Sequence, residues 1–193
     1  MKNRTIAYCK AESDEQLQQI LTLQKKNLAT SIDDDTFKSQ GFVTAVHDLK
    51  LLKQMNSDQA HIIAMDGNQV IGYALSMTVN FSSHLSVLAP MFEMIKNLEY
   101  QGTLLNEKKY FIMGQVCVDV AYRGSGVFQG LYQHMKQCYS QHYDYIITEI
   151  DQRNTRSTAA HRKVGFKILH QYSTDSDFQN LGIDWDLIIW DWT

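Results

Sequence analysis

Residues 110–166 decide the fold, and they read YFIMGQVCVDVAYRGSGVFQGLYQHMKQCYSQHYDYIITEIDQRNTRSTAAHRKVGF. The segment begins with an apolar and β-branched run, Phe111–Val120, which predicts a strand that stops at Ala121. A glycine-rich turn, Arg123–Gly126, follows this strand. Beyond the turn, apolar residues recur at the spacings of an amphipathic helix: Phe128, Leu131, Tyr132, Met135 and Tyr139. The sequence therefore predicts a strand, a glycine turn and a helix, in that order.

The predicted turn has the properties of a site for a phosphate-like anion. The first residues of a helix leave backbone N–H groups without intrahelical acceptors, and the helix dipole adds positive potential there. Gly124 and Gly126 let the backbone approach a ligand closely, because neither has a Cβ. The dinucleotide fingerprint G-x-G-x-x-G is incomplete, since Gln129 stands at its third glycine, and the Lys-Ser/Thr ending of a P-loop is missing.

The second half of the segment predicts a strand, Tyr145–Ile150, followed by a loop and a helix. The two halves together resemble two motifs of the GCN5-related N-acetyltransferases (GNAT). Motif A, Q/R-x-x-G-x-G/A, is matched by Arg123 and Gly126, while Phe128 stands where the family usually has Gly or Ala. Motif B, in its variant N-x-R-S-x-x-x-H-x-x-x-G-F, is complete: Asn154, Arg156, Ser157, His161, Gly165 and Phe166.

The resemblance covers residues 60–173 well, and it implies an α/β (α+β) GNAT fold. In this fold a mixed, mostly antiparallel central sheet splays between the motif A strand and the next strand, with helices on both faces. The length and the 44% hydrophobic content fit a single domain over residues 1–193. Residues 81–109 are an insert that is atypical of the family, and Pro90 is expected to open a helix within it.

The resemblance also implies acetyl-CoA as the cosubstrate, without a metal. The pantetheine arm is expected to lie along the motif A strand, and the pyrophosphate is expected on the N–H groups from Arg123 to Phe128. The implied acetyl-CoA contacts are Val116, Cys117, Val118, Arg123, Gly124, Ser125, Gly126, Val127, Phe128, Asn154 and Ser157. Two of these positions have structural interpretations too, since Asn154 suits a helix N-cap and Phe128 suits the core.

Acetyl transfer to an amine needs a base for the amine proton and an acid or donor for the departing thiolate. In relatives that acetylate ribosomal-protein N-termini, the base is a glutamate five residues before the motif B Asn, and the acid is a Tyr seven residues after it. These places hold Glu149 and His161 in this chain. Asp119 on the motif A strand is a rival base, Glu149 could instead pair with Arg153, and His161 could be a packing residue.

The rest of the chain predicts further elements of the same domain. They are a strand at Thr5–Lys10, a capping box formed by Ser13 and Gln16, a helix at Asp48–Met55, a hairpin turning at Asp66-Gly67, and strands at Lys167–Ser173 and Trp185–Trp192. The segment Ser31–Gly41 is acidic and reads as a solvated loop, and neither it nor the later aspartate cluster (Asp175, Asp177, Asp184 and Asp186) identifies an acceptor.

The composition narrows the classes of partner. A net charge of −3 argues against broad binding to nucleic acid or to an anionic membrane. Cys9, Cys117 and Cys138 are odd in number and irregularly spaced, so neither a disulfide framework nor a zinc site is expected. Reduced thiols and a beginning without a signal-peptide pattern predict a cytoplasmic protein.

The sequence thus predicts an N-acetyltransferase that acts on a small-molecule or peptide amine, with a homodimer as a possible assembly. Two alternatives remain open. One is an acyltransferase that acts on a protein N-terminus or a lysine. The other is a non-catalytic acyl-CoA-binding module.

Overall fold

The computed structural model describes residues 5–28, 41–81, 88–174 and 182–193. Their strands are β1 (Ile6–Lys10), β2 (Ile62–Asp66), β3 (Gln69–Met77), β4 (Glu99–Tyr100), β5 (Thr103–Leu104), β6 (Tyr110–Val118), β7 (Tyr145–Asp151), β8 (Lys167–Thr174) and β9 (Ile183–Asp191). Their α-helices are α1 (Asp14–Lys26), α2 (Leu49–Asp58), α3 (Ala89–Ile95), α4 (Val127–Tyr139) and α5 (Thr155–Val164). None of these helices is long and apolar enough to cross a membrane.

Within the described residues, seven strands form one mixed sheet in the order β1-β2-β3-β6-β7-β9-β8, and β4 pairs with β5 separately. The sheet is mostly antiparallel, and β6 and β7 are the parallel neighbours. The parallel ladder joins Tyr110–Ile112 to Tyr145–Ile147. The α/β fold predicted from the sequence is therefore confirmed, while the splay beyond this ladder stays a prediction.

The chain divides into two compact units. The first unit consists of the described residues of Met1–Ser76 and Met113–Cys138. Its core is formed by side chains from the sheet and from α1, α2 and α4, all of them at most 1% exposed: Ile20, Leu52, Met55, Ile62, Ile71, Leu75, Leu131, Tyr132 and Met135. The helices form where the sequence predicts them, because each has a local start signal: Ser13 and Gln16 close a capping box on α1, and Asp48 caps α2.

The second unit consists of the described residues of Met77–Ile112 and Tyr139–Thr193. An aromatic cluster anchors its core, since Phe111 packs against Tyr139, Tyr143 and Trp192 at centroid distances of 5.9, 4.9 and 5.8 Å. The insert at residues 81–109 contributes α3, which has Pro90 in its first turn as predicted, and the short β4–β5 hairpin, which the sequence did not predict.

The strand of motif A ends earlier than predicted. It stops at Val118 instead of running to Val120, because Asp119 caps a short 3-10 helix, Val120–Tyr122. The Asp119 carboxylate accepts a hydrogen bond from the Ala121 amide at 2.9 Å.

The interpretation of Phe128 as a core residue is also wrong. Val127 is the buried residue at the start of α4, at 1% exposure, and Phe128 is only partly covered.

Candidate active site

The turn between β6 and α4 has the backbone conformation that glycine allows. Gly124 and Gly126 have φ values of +77° and +87°, in the left-handed region that other residues rarely adopt. A Cβ added to either glycine would meet no atom within 4 Å, so both face open space. The two glycines therefore shape the turn and leave its outer side accessible to a ligand.

The backbone N–H groups of this turn point to an anion site. Among the residues that the structure describes, none accepts a hydrogen bond from the amides of Gly124, Ser125, Gly126 or Val127. Hydrogen bonding within the helix starts with the amide of Gly130, which donates to the Gly126 carbonyl at 2.9 Å. Four consecutive amides at the positive end of a helix are thus available to a phosphate-like group.

Arg123 differs from the prediction, because its amide is engaged within the protein. This amide donates to the Val120 carbonyl at 3.4 Å. The guanidinium braces the turn, since Nε donates to the Val118 carbonyl at 3.1 Å and Nη2 donates to Asn27 Oδ1 at 2.6 Å. Arg123 therefore ties the end of β6 to the end of α1, and the predicted row of ligand-binding amides begins one residue later.

The pantetheine arm is predicted along Val116–Val120, of which Val116–Val118 form the end of β6 and Asp119 and Val120 lie beyond the strand. Cys117 is 6% exposed, so its side chain is covered within the fold. Burial raises the pKa of the Cys117 thiol to about 12, so the thiol is neutral near neutral pH. Because the thiolate is the nucleophilic form, Cys117 is a packing residue of this strand and not a nucleophile.

A buried amide network lies beside this strand in the first unit, and we call it the amide hub: Gln24, His47, Tyr73 and Gln115. Gln115 Oε1 accepts from the Tyr73 hydroxyl at 2.6 Å and from Gln24 Nε2 at 2.8 Å. Gln115 Nε2 donates to the Ala45 carbonyl at 2.8 Å. The hub therefore fixes the segment before α2 against α1 and the sheet.

His47 completes the hub in its neutral form. Its amide donates to Gln24 Oε1 at 3.0 Å, and this orients the Gln24 side chain so that Nε2 donates to His47 Nδ1 at 2.8 Å. The accepting Nδ1 assigns the ring proton to Nε2. Burial lowers the pKa of His47 to about 4, against a smaller opposing effect of Asp48. Each member of the hub is thus an uncharged group near neutral pH.

In the second unit, Glu149 has the properties of a general base. Its Oε2 accepts a hydrogen bond from the Tyr172 hydroxyl. Burial raises the pKa of Glu149 to about 7, and the hydrogen bond from Tyr172 lowers it in part. The alternative pairing with Arg153 is wrong, because the Arg153 guanidinium binds Asp151 instead, at 2.5 to 3.1 Å.

Asn154 and Ser157 form the start of α5. Asn154 is 6% exposed, and its Oδ1 accepts from the Ser157 amide at 3.2 Å, so it is the helix N-cap that the sequence suggested as one of its roles. Gly165 ends the helix at φ +122°. Both ends of α5 therefore lie where motif B places them, and acetyl-CoA contacts of Asn154 and Ser157 stay predictions.

The surroundings of His161 oppose the acid role expected from the resemblance. The side chain is 2% exposed, and Nδ1 lies 2.8 Å from the Ser157 carbonyl, which can only accept, so Nδ1 carries the ring proton. Burial lowers the pKa of His161 to about 4. At neutral pH the ring is therefore uncharged and donates its proton within α5. His161 also packs edge-on against Phe166, at a centroid distance of 5.1 Å.

The structure adds Tyr172, which the sequence did not single out. Its partner Glu149 lies 23 residues earlier in the chain, with β9 between their two strands in the sheet.

Asp119, the rival base, uses one carboxylate oxygen to cap the short 3-10 helix that follows it. The residues Asp33–Asp35, Asp175 and Asp177 lie outside the described residues, whereas Asp184 and Asp186 accept hydrogen bonds from Ser173 and Gln171 on β8.

Three solved structures illustrate what the fold is similar to. The ribosomal-protein-S18-alanine N-acetyltransferase from Escherichia coli is 9% identical, with a TM-score of 0.65 over 98% of this chain and 95% of that chain. NAA60 from Arabidopsis thaliana, in complex with a bisubstrate analogue, is 12% identical, with a TM-score of 0.66 over 97% and 98%. A putative acetyltransferase from Salmonella typhimurium, yncA, with its cofactor acetyl-CoA, is 11% identical, with a TM-score of 0.63 over 97% and 94%.

At such low sequence identities, these structural similarities establish the fold alone. Comparison with curated protein sequences finds no match. The sequence itself matches the acetyltransferase (GNAT) family over residues 27–166, which is most of the chain and includes the glycine turn, Glu149 and the whole of motif B. The chain therefore belongs to the acetyltransferase (GNAT) family and is an acetyl-CoA-dependent N-acetyltransferase.

Proposed function

We propose that this enzyme transfers the acetyl group of acetyl-CoA to a primary amine by direct attack in a ternary complex. The observation that carries the proposal is the row of four amides, Gly124–Val127, without an acceptor among the described residues. Such a row at a helix N-terminus suits the diphosphate of the cosubstrate. The pantetheine amides pair with the backbone of Val116–Val118, as an added strand would. Asn154 and Ser157 are the further contacts that the resemblance implies.

The acceptor amine must be uncharged to attack, and we assign its proton to Glu149. An α-amino group has a pKa of about 8, and a base with a pKa of about 7 is about half deprotonated at pH 7 and largely deprotonated at pH 8, while it is still basic enough to assist. The amine nitrogen forms a bond to the thioester carbonyl carbon, the C–S bond breaks, and the proton passes to the carboxylate. Coenzyme A then leaves as a thiolate.

The thiolate takes its proton from water in this mechanism. His161 is unsuited to the task, because it is neutral near pH 7 and its Nδ1 proton is held by the Ser157 carbonyl. We assign it a structural role in α5 instead. The neutral, buried thiol of Cys117 favours direct transfer over a route through an acetylated cysteine.

The first candidate acceptor is the primary amine of a small molecule, and the second candidate is the α-amine of a peptide. The similarity of the fold to the ribosomal-protein-S18-alanine N-acetyltransferase from Escherichia coli favours this second candidate. A panel of small amines, lysine-containing peptides and peptides with free N-termini separates the two. Release of free coenzyme A is the readout, and product mass identifies the acetylated nitrogen.

Calorimetric titration with acetyl-CoA tests the binding site, with a matched pair of glycine variants. Gly126→Ala places a methyl group on the proposed diphosphate site, and we expect about tenfold weaker binding, equal to about 1.4 kcal/mol. Gly102→Ala is the control, because Gly102 also has a positive φ, +77°, and open space around its Cβ, but lies between β4 and β5. Both variants carry similar backbone strain.

Absence of acetyl-CoA binding by the wild-type protein at millimolar concentration would falsify the proposal. An equal loss of affinity in Gly102→Ala and Gly126→Ala would remove the glycine turn from the binding site and leave only a shared effect of strain.

A further inference from the structure

Tyr172 reaches Glu149 across the strand that separates them. Glu149 on β7 pairs with Leu187 on β9, and Tyr172 on β8 pairs with Trp185 on β9. Leu187 and Trp185 are two residues apart on one strand, so their side chains lie on the same face of the sheet. Glu149 and Tyr172 share that face, and the phenol hydroxyl donates to Glu149 Oε2 diagonally over β9.

We infer that Tyr172 is a positioning residue for the catalytic base: its hydroxyl holds Glu149 Oε2 and leaves Oε1 to receive the proton of the acceptor amine. The inference rests on the proposed function of Glu149. Among the residues that the structure describes, no group donates a hydrogen bond to Oε1. A single donor on one oxygen fixes the carboxylate plane, so the second oxygen has a defined direction.

The hydroxyl of Tyr172 acts only as a donor. Burial, followed by the negative charge of Glu149 and the hydrogen bond to it, raises the pKa of Tyr172 far above its ordinary value. The phenol thus keeps its proton throughout the working pH range. It is therefore neither a base for the amine nor an acid for the thiolate, and its effect on the reaction passes through Glu149.

Among the described residues of the second unit, the neighbouring strands bring the following titratable groups near Glu149. From β7, Asp151 lies two residues on and is bound by Arg153. From β8, His170 pairs with Leu187, opposite Glu149. From β9, the facing residues Leu187 and Trp185 do not ionise. Burial raises the pKa of Glu149, and the Tyr172 hydroxyl is the group that opposes this rise.

A carboxyl titration tests the inference without any acceptor. In protein labelled with ¹³C-glutamate, the carboxyl signal of Glu149 is assigned by its loss in Glu149→Gln and followed by NMR as the pH changes. Tyr172→Phe removes the donor to the carboxylate, so we expect the titration midpoint of Glu149 to rise by about one pH unit. Tyr100→Phe is the control, since it deletes a hydroxyl from the β4–β5 hairpin, and its midpoint should equal that of the wild type.

The pH dependence of kcat/KM, measured with an amine identified in the acceptor panel, gives a second readout. In Tyr172→Phe the acid limb should move to higher pH, with the loss of rate greatest below pH 7 and smallest near pH 9. A purely structural role predicts an equal loss at every pH. Acetyl-CoA affinity, measured by calorimetry, should stay within twofold of the wild type.

The outcomes distinguish a failure of the inference about Tyr172 from a failure of the proposed function of Glu149. An unchanged Glu149 midpoint in Tyr172→Phe, or an equal loss of rate at all pH values, overturns the inference even if Glu149→Gln is inactive. Full turnover by Glu149→Gln instead removes Glu149 from the proposed mechanism, and the role of Tyr172 is lost with it.

Discussion

The amide hub of the first unit and the Glu149–Tyr172 pair of the second unit are both polar clusters in apolar surroundings, yet they are built differently. The hub joins two glutamine side chains, a histidine and a tyrosine through bonds of 2.6 to 3.0 Å, and all four residues are at most 8% exposed. The pair consists of one carboxylate and one hydroxyl, and Glu149 is partly exposed.

The difference distinguishes a structural cluster from the one that we propose to be reactive. Neutral groups that satisfy one another can be buried without the large penalty of desolvating a charge, so the hub holds the chain in place over a wide pH range. A partly buried carboxylate with one donor keeps an oxygen for proton transfer, and its burial brings the pKa to about 7. The first arrangement stabilises the fold, and the second suits catalysis.

The largest expected effect comes from removing the charge of the pair. Glu149→Gln keeps the shape of the side chain but cannot accept the amine proton, so we expect turnover to fall about 1,000-fold, or about 4 kcal/mol of transition-state stabilisation. Acetyl-CoA affinity should change less than twofold. Steady-state kinetics and calorimetry measure the two quantities, and unchanged turnover would exclude Glu149 as the base.

The next effect is on stability and concerns the hub. Gln115→Leu leaves the Tyr73 hydroxyl, the Gln24 amide and the Ala45 carbonyl without their partner, so we expect the free energy of unfolding to fall by about 3 kcal/mol. Gln171→Leu is the control. Gln171 is an exposed strand residue whose side chain makes one hydrogen bond, to the buried Asp186, so its replacement should lower the free energy of unfolding by about 1.5 kcal/mol, half the loss expected in Gln115→Leu. Urea unfolding compares the two, and equal losses would contradict the account of the hub.

The smallest expected effects are changes in stability with pH, and the two groups concerned act in opposite directions. The pKa of His47 is lowered to about 4 in the folded protein, so its contribution to stability is lost as the pH falls from about 6.5 to about 4. The pKa of Glu149 is raised to about 7, so its contribution is lost as the pH rises from about 4.5 to about 7. The two pKa changes correspond to at most about 3 kcal/mol each, and solvent screening of the charged forms lowers the change that we expect in the free energy of unfolding to about 2 kcal/mol.

Two variants separate these contributions in unfolding measured from pH 4 to pH 8. His47→Gln should reduce the loss of stability on the acid side, and Glu149→Gln should reduce the loss toward pH 7. If neither variant alters the slope in its own pH range, the titrating groups have been wrongly assigned.

The sequence was informative wherever a structure depends on neighbours a few residues apart. The capping box of α1, the Asp66-Gly67 turn, and the Asn154 cap of α5 are all local, and each lies where it was predicted. The strand end at Val118 was missed although its cause, the Asp119 cap, is local too, because the apolar Val120 continues the strand-like pattern.

The clusters that carry chemistry and stability could not be predicted in this way. Gln24 and Gln115 are 91 residues apart, and Glu149 and Tyr172 are brought together by two strand pairings whose register no local pattern gives. The neutral state of His161 also depends on how α5 packs, since burial is what lowers the pKa. Family resemblance located Glu149 and His161 along the chain but not their ionisation, and it pointed neither to Tyr172 nor to the amide hub.

The buried thiol of Cys117 gives the enzyme an internal reporter. Cys9 and Cys138 are partly exposed, whereas Cys117 is covered and keeps its proton. Alkylating reagents should therefore modify Cys9 and Cys138 before Cys117, and they should reach Cys117 only when β6 separates from its neighbours. The slow alkylation rate of Cys117 then measures how often this strand opens, and a bound cosubstrate that pairs with the strand would slow it further, with no label introduced into the protein.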